Sequence, residues 1–410
     1  MISRRSLVFG GAMSFAALAS SRAMADPQPL GPLLNTPDFD RLAPEWRRVG
    51  LRPYRKGGVK LDIDPGADTV QARKVLIYNY GHGGAGITLA WGCADQVKDF
   101  VDTALRTRLQ KPPKQTRVAV VGAGVIGLAT AAELKRWAPD LTVTVMAENV
   151  DAAGNPMPQS TTSWIAGGQF EPSALWREYQ DCDHPCKMDI LHDLVRRSHR
   201  RIQQIKALGI QGDYGIADRT NYILANEDDE GFALGMPRDV VPAAQTGLLP
   251  FAKLATVAGK AYATWLINPT ILLPRLVSDL RAASVRFEKR KLRTRAELIA
   301  IDADIIINCT GLGAAKILPG TGLTPIRGQL VVLQNTDKLD YLFSGGCGNK
   351  SAYMFCRQDD IVIGGTFDYT ANLSGLTDKS YLTMRDRVKD IFSGNVSACN
   401  STPSNGACHP

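Results

Sequence analysis

The sequence predicts an α/β protein of two domains, one with a parallel sheet and one of α+β type with an antiparallel sheet, both assembled from separated stretches of chain. Three observations lead there. Residues 79–92 (NYGHGGAGITLAWG) and 118–134 (VAVVGAGVIGLATAAEL) each read as a strand, a tight glycine turn and a helix start, a unit whose unpaired backbone N–H groups can hold a phosphate or an electron-rich ring edge. An acidic residue, Glu148, follows the second unit. The later part of the chain instead breaks into short apolar runs separated by turn residues, the pattern of an antiparallel sheet. At 410 residues, 44% apolar and 21% charged, the chain is long enough to bury a substantial core.

Taken in order, residues 1–25 (MISRRSLVFGGAMSFAALASSRAMA) have the form of an export signal: paired arginines, an uncharged apolar stretch of about 14 residues, and Ala23 and Ala25 flanking Met24 before Asp26. Arg4-Arg5 between Ser3 and Ser6 reads as a twin-arginine signal, with a plain secretory signal as the alternative. The stretch is too short to span a bilayer comfortably, and no later run is long and apolar enough for stable membrane insertion. Residues 26–45, rich in Pro, Leu and Asp without a period, read as a linker or wrapped arm. A strand is predicted at 74–80, a helix at 88–105, and a charged, proline-bearing connector at 106–115. A buried strand at 118–121, a helix at 127–137 and a strand at 141–146 follow, then an amphipathic helix at 272–283 and a buried strand at 305–309. Residues 329–333, 351–355 and 361–367 read as strands of the antiparallel sheet.

The formal charge of +8 includes Arg4, Arg5 and Arg22 of the export segment, and no basic run interleaves with aromatic residues, so a nucleic-acid surface is not expected. Of the eight cysteines, Cys182 and Cys186 can pair, stay free, or join His184 at a metal. Cys399 and Cys408 can close a loop in the Ser/Asn/Gly-rich tail, and Cys93 and Cys309 lie in apolar segments as inert core residues. No metal site is otherwise expected.

The strongest chemical signal is Gly122-Ala123-Gly124-Val125-Ile126-Gly127, set between a strand and a helix as the Rossmann-type dinucleotide fingerprint requires. Gly122 permits the tight turn, Gly124 lets a pyrophosphate reach the backbone, and Gly127 lets helix close on strand. Glu148, 21 residues beyond Gly127 at the end of the next strand, is placed to accept from ribose hydroxyls. The fingerprint by itself does not choose between NAD and FAD.

Over nearly all of the chain after residue 25, the sequence resembles the D-amino-acid oxidase family, which includes D-aspartate oxidase. The matching pieces are VAVVGAGVIGLAT, TTSWIAGGQFEP (161–172), IINCTGLGA (306–314), IRGQLVVL (326–333), SAYMFCR, IVIGGTF, VGLRPYR (49–55) and NYGHGGAGITLAWG. The last two normally end the polypeptide in that family, whereas here they precede the fingerprint. Joined after residues 392–394, VGLRPYR would restore the usual order, so the chain resembles a circular permutant, which neighbouring surface termini permit.

The resemblance implies FAD as cofactor. Residues 62–105, 116–160 and 273–322 would form its domain, and 46–61, 161–272 and 323–394 the substrate domain, with 395–410 a tail. It implies that Gly83, Gly84, Gly86, Ile87 and Thr88 face the flavin N1 and C2 carbonyl edge, where negative charge accumulates on reduction, with the Thr88 hydroxyl as a direct donor. Thr162 and Ser163 would bond pyrophosphate or ribityl oxygens, and Thr310-Gly311 would pack beside the cofactor. His82 is expected to satisfy backbone carbonyls. Arg52 matches the arginine that holds the substrate carboxylate, and Tyr353 a tyrosine whose hydroxyl donates to the same group. Asn349 stands where a second active-site tyrosine is expected. Gln169 and Glu171 are expected to face the pocket, and Arg357 or Arg327 would be the second cation that an acidic substrate needs.

The implied reaction is dehydrogenation of a D-amino acid by hydride transfer to flavin N5, giving an imino acid that hydrolyses to a 2-oxo acid and ammonia, with dioxygen converted to hydrogen peroxide. A dehydrogenase with another acceptor, an oxidase of glycine or N-methyl amino acids, and a flavin-binding protein without turnover are the alternatives. The particular amino acid and the oligomeric state are not read from the sequence.

Overall fold

A computed structural model describes residues 27–64, 74–179, 186–224, 235–347 and 350–396. The export segment, Cys182 and its pairing with Cys186, Asn349, and the tail cysteines Cys399 and Cys408 lie outside what it describes. Two sheets organise these residues.

The first is six-stranded. Its strands are β2 (Lys60–Ile63), β3 (Val75–Tyr80), β4 (Arg117–Val121), β5 (Thr142–Ala147), β9 (Arg286–Lys289) and β10 (Ile305–Asn308), in the order β2-β3-β10-β4-β5-β9. All pairs are parallel except the β2–β3 edge. VLIY, VAVV and III are unbroken apolar runs because strands inside a parallel sheet are covered on both faces. Strand β10 pairs with β3 on one side and β4 on the other. The two strand–turn–helix units therefore lie side by side across it. Each strand feeds a helix: α1 (Gly86–Ala104) follows β3 and α2 (Val125–Trp137) follows β4. The helices pack together, and a Cβ added at Gly86 would lie 3.7 Å from Val125 Cγ1 and 4.0 Å from Ile126 Cδ1.

Helix α3 (Cys186–Ala207) lies in the stretch expected in the second domain, yet it packs on α1. Gly92 makes this possible: its N–H donates to Ser198 Oγ at 2.7 Å, and a Cβ there would sit 2.0 Å from the Leu194 carbonyl oxygen. Helix α4 (Pro269–Ala282) begins at Asn268, whose side chain accepts from the Thr270 N–H.

The second sheet has eight strands. They are β1 (Leu42–Arg55), β6 (Ile216–Leu224), β7 (Gln245–Leu248), β8 (Ala258–Ile267), β11 (Leu323–Gln334), β12 (Leu342–Cys347), β13 (Lys350–Cys356) and β14 (Asp360–Gly364), in the order β1-β11-β14-β13-β12-β6-β8-β7. It is antiparallel apart from the β12–β6 pair. The arm ahead of β1 is docked, bridging at Pro29–Leu248 and Leu34–Phe251. Helix α5 (Asp378–Phe392) buries Tyr381, Met384, Val388 and Ile391, and its end meets the start of β1: the Phe39 and Phe392 rings are 5.8 Å apart. Strand β14 stops at Gly364, short of the run to 367 that the sequence predicts.

Candidate active site

One cavity of about 930 Å³ runs between the two sheets, at the upper end of the ~300–1,000 Å³ typical of small-molecule sites. Its wall joins residues from both glycine turns and from the second sheet. Gly84, Gly86, Ile87, Gly122, Gly124, Val125 and Ile126 line it, as do Glu148, Thr162, Ser163, Thr310 and Gly311, and Arg52 and Tyr353. Of the residues expected to hold the cofactor, Gly83, Thr88 and Gly127 are not on the wall.

At the fingerprint, Gly122 has φ +110, and a Cβ on it would lie 2.4 Å from the Cys309 carbonyl oxygen. A Cβ on Gly127 would be 1.9 Å from the Gly122 carbonyl oxygen, so its role is to seat the helix on the strand. Gly124 faces open space apart from Ser163 Oγ at 3.3 Å from its would-be Cβ, and that hydroxyl accepts from the Val125 N–H at 3.1 Å. Thr162 Oγ1 donates to the Leu51 carbonyl, fastening this turn to β1. The Thr310 N–H and hydroxyl both donate to Asn308 Oδ1, which closes this turn. Glu148 is bonded by Lys291, which holds its carboxyl below the ordinary carboxylate range. Ribose hydroxyls would compete with that partner.

At the first turn, α1 starts with no side-chain cap and no acid in its first turn, so its leading N–H groups are free for an anion or a polarised carbonyl. The expected Thr88 donor is corrected here. Its buried hydroxyl donates to the Glu171 carbonyl at 2.7 Å and accepts from the Glu171 N–H at 3.0 Å, tying α1 to the GGQFEP turn. The Gly83 N–H is likewise engaged by the Pro53 carbonyl at 2.9 Å, which locks the turn to the strand that carries Arg52. His82 departs from expectation too: it is on the cavity wall, buried, and its Nε2 has no partner. Burial pushes its imidazole down to about 3, so the ring is neutral at physiological pH. Asn79 Oδ1, also on this wall, is a second buried atom without a partner.

Arg52 threads between two glycines. A Cβ on Gly84 would be 3.2 Å from its Cδ, and one on Gly328 only 2.5–2.6 Å from its guanidinium atoms. Nη1 donates to the Thr366 carbonyl at 2.9 Å, and the guanidinium lies 5.4 Å from the Phe367 ring centroid. No carboxylate pairs with it among the described residues. A cation on a cavity wall with carbonyl partners alone is suited to an incoming carboxylate. Tyr353 stacks on Phe355 with centroids 4.6 Å apart and leans over Gly364 and Gly365, where a Cβ would lie 2.3 and 2.8 Å from its hydroxyl. The glycines at 328, 364 and 365 were not singled out from the sequence, although each lies within a matching piece.

Neither arginine expected as a second cation is on the wall. Arg357 is fully buried and paired with Asp360, and Arg327 is paired with Asp368 and donates to the Asn372 carbonyl. Both are structural.

Residues 117–404 match the family model described as FAD dependent oxidoreductase. The chain is 28% identical to a D-amino-acid oxidase of Streptomyces coelicolor over 265 residues, 62% of this chain and 71% of that protein. It is 25% identical to a D-aspartate oxidase of Homo sapiens over 260 residues, 61% of this chain and 68% of that protein. Among solved structures, an iminodiacetate oxidase from Chelativorans sp. aligns with a TM-score of 0.47 at 18% identity, covering 68% of this chain and 80% of that one.

Proposed function

The chain belongs to the FAD dependent oxidoreductase family, and from that premise we propose that it oxidatively deaminates a D-amino acid to the 2-oxo acid and ammonia, reducing dioxygen to hydrogen peroxide. FAD is its cofactor, and the residues present fit it: a glycine turn in which Gly122 and Gly127 admit no Cβ, an uncapped helix start, and two residues of the cavity wall, His82 and Asn79, whose buried Nε2 and Oδ1 atoms have no partner among the described residues. The chemistry FAD supplies when bound is acceptance of the Cα hydrogen with its electron pair and delivery of the electrons to dioxygen.

The observation that carries the proposal is Arg52, an arginine without a carboxylate partner among the described residues, on the wall shared by both glycine turns. Its guanidinium binds the substrate carboxylate, and the Tyr353 hydroxyl donates to the same group. The two contacts fix the orientation of Cα in the cavity, and positioning of this kind supplies much of the rate in reactions without a side-chain acid or base. The substrate amine binds neutral, its lone pair forming the C=N bond as the Cα hydrogen leaves. His82, held neutral, adds no competing positive charge beside the site.

Exchange of Arg52 for Ala is expected to lower the anaerobic rate of flavin reduction by D-amino acids by about 10²-fold or more while the protein stays yellow. Unchanged reduction in that variant would refute the carboxylate assignment. Bleaching by glycine or N-methyl amino acids in preference to D-amino acids would favour the neighbouring oxidase reading. Reduction without peroxide formation in air would favour a dehydrogenase.

Residues 1–25 we take as a twin-arginine signal that exports the protein, supported by Arg4-Arg5, and replacing both with Lys is expected to retain it in the cytoplasm. The chain order we take as a circular permutation of the family's usual one, supported by the contact between the end of α5 and the start of β1.

A further inference from the structure

The cavity carries a feature that neither the cofactor nor the carboxylate site uses. On the sheet face that presents Tyr353 runs a row of neutral hydrogen-bonding side chains. Ser344 on β12 stands directly opposite Tyr353 on β13. One strand further, Asn221 on β6 donates through Nδ2 to Ser344 Oγ at 3.3 Å and to the Tyr262 hydroxyl at 2.8 Å. Tyr262, on β8, is the cross-strand partner of Asn221. Gln169, from the GGQFEP turn, donates through Nε2 to the same hydroxyl at 2.9 Å. All four line the cavity, and Asn221 and Tyr262 are only 1% and 4% exposed. Opposed residues on paired strands lie ~5 Å apart, so the row begins within reach of the side chain of an amino acid whose carboxylate Tyr353 holds.

Charge decides what the row accepts. Arg290, Lys291 and Lys316 are on the wall near Glu148, at the fingerprint end. Of the described wall residues, this leaves Arg52 and Arg177 as cations elsewhere, and Arg177 is exposed with its guanidinium 5.0 Å from the neighbouring Trp176 ring. A side-chain carboxylate beside Ser344 and Asn221 would lose water without gaining a counter-ion. Gln169 Oε1 has no partner among the described residues, an acceptor that repels a carboxylate and suits an N–H or O–H.

From this juxtaposition we propose that Gln169, Asn221, Tyr262 and Ser344 form the side-chain subsite, and that it selects D-amino acids with an uncharged carboxamide or hydroxyl side chain. The inference rests on the deamination reading above. Its test is anaerobic reduction of the holoenzyme by D-asparagine, D-aspartate and D-leucine, side chains of similar size that are neutral polar, anionic and apolar. The rate constant over dissociation constant for D-asparagine is expected to exceed both others by at least about tenfold. Ser344→Ala and Asn221→Ala, checked for full FAD content, are each expected to lower the asparagine-to-leucine ratio about tenfold. A preference for D-aspartate or D-leucine overturns the subsite while leaving deamination intact, as does a ratio unmoved in both variants. Failure of every D-amino acid, D-alanine included, to bleach the flavin overturns the deamination reading and the subsite with it.

Discussion

At the scale of single residues, His82 shows how burial sets chemistry. The folded imidazole titrates near 3, whereas in the unfolded chain it takes the ordinary value of ~6.5. Between those values the unfolded chain binds the extra proton. The stability held by the neutral ring is therefore complete above ~6.5 and drains as pH falls toward 3, by at most ~1.4 kcal/mol per pH unit. Relative to a His82→Asn variant, the wild type is expected to lose ~2 kcal/mol of unfolding free energy between pH 7 and pH 5, measured from urea midpoints of the FAD-bound protein. Parallel pH curves for the two proteins would contradict the burial. At this scale the Gly122 turn was legible from its glycine spacing, and Arg52 and Tyr353 only through the flanking pieces that resemble the family; all three reach one cavity. It was not legible for Thr88, because a hydroxyl at a helix start serves a neighbouring backbone as readily as a ligand. Of the polar row, Gln169 was expected at the pocket and lies there, whereas Asn221, Tyr262 and Ser344 were missed because inward-facing polar side chains break the apolar alternation that marks a strand.

At the scale of elements, close approach of backbones decides which glycines matter. Alanine at position 127 would press a Cβ to 1.9 Å from the Gly122 carbonyl oxygen, and neither atom can swing aside, so β4 and α2 must part. That substitution is expected to abolish FAD retention through gel filtration and to lower the melting temperature. Gly212→Ala, with nothing within 4 Å and no positive φ, is expected to change stability by no more than about 0.5 kcal/mol. Equal effects of the two would contradict the packing. Strands β3, β4 and β10 were readable because burial on both faces leaves long apolar runs, and β5, TVTVMA, because of its β-branched residues. Helix α3 was not assigned, although Leu191, Leu194, Val195, Ile202 and Ile205 are buried at helical spacing. Its mean composition is strongly polar, and a period so crowded with charge is easily read as a surface segment. Strands β6 to β8 likewise lack clean alternation.

At the scale of the whole molecule, early chain is divided between the two sheets, β1 in one and β2–β3 in the other. Asp40 receives Lys389 at 2.6 Å and Arg385 at 3.0 Å, so the start of β1 is held against α5 by charge as well as by the Phe39–Phe392 contact. The connector between α1 and β4 lies at the surface, with Lys111 pinned to Asp304 at 2.7 Å. A chain cut between Pro112 and Pro113 and joined from residue 394 to residue 38, which keeps Phe39 and Asp40, is accordingly expected to fold, retain FAD and bleach with the same D-amino acids. An insoluble or colourless product would count against the proposed permutation.

The position of β10 bears on how the protein is made. The strand that unites the two glycine turns spans Ile305–Asn308, far downstream of both. On the ribosome, β3 and β4 therefore emerge with edges that have no neighbour to pair with until some three-quarters of the polypeptide has been synthesised, a period in which nascent chains are exposed to aggregation. The nucleotide cleft is thus a late product of translation, and a chain arrested before residue 305 would leave the tunnel with both halves of its cradle and no means of closing them.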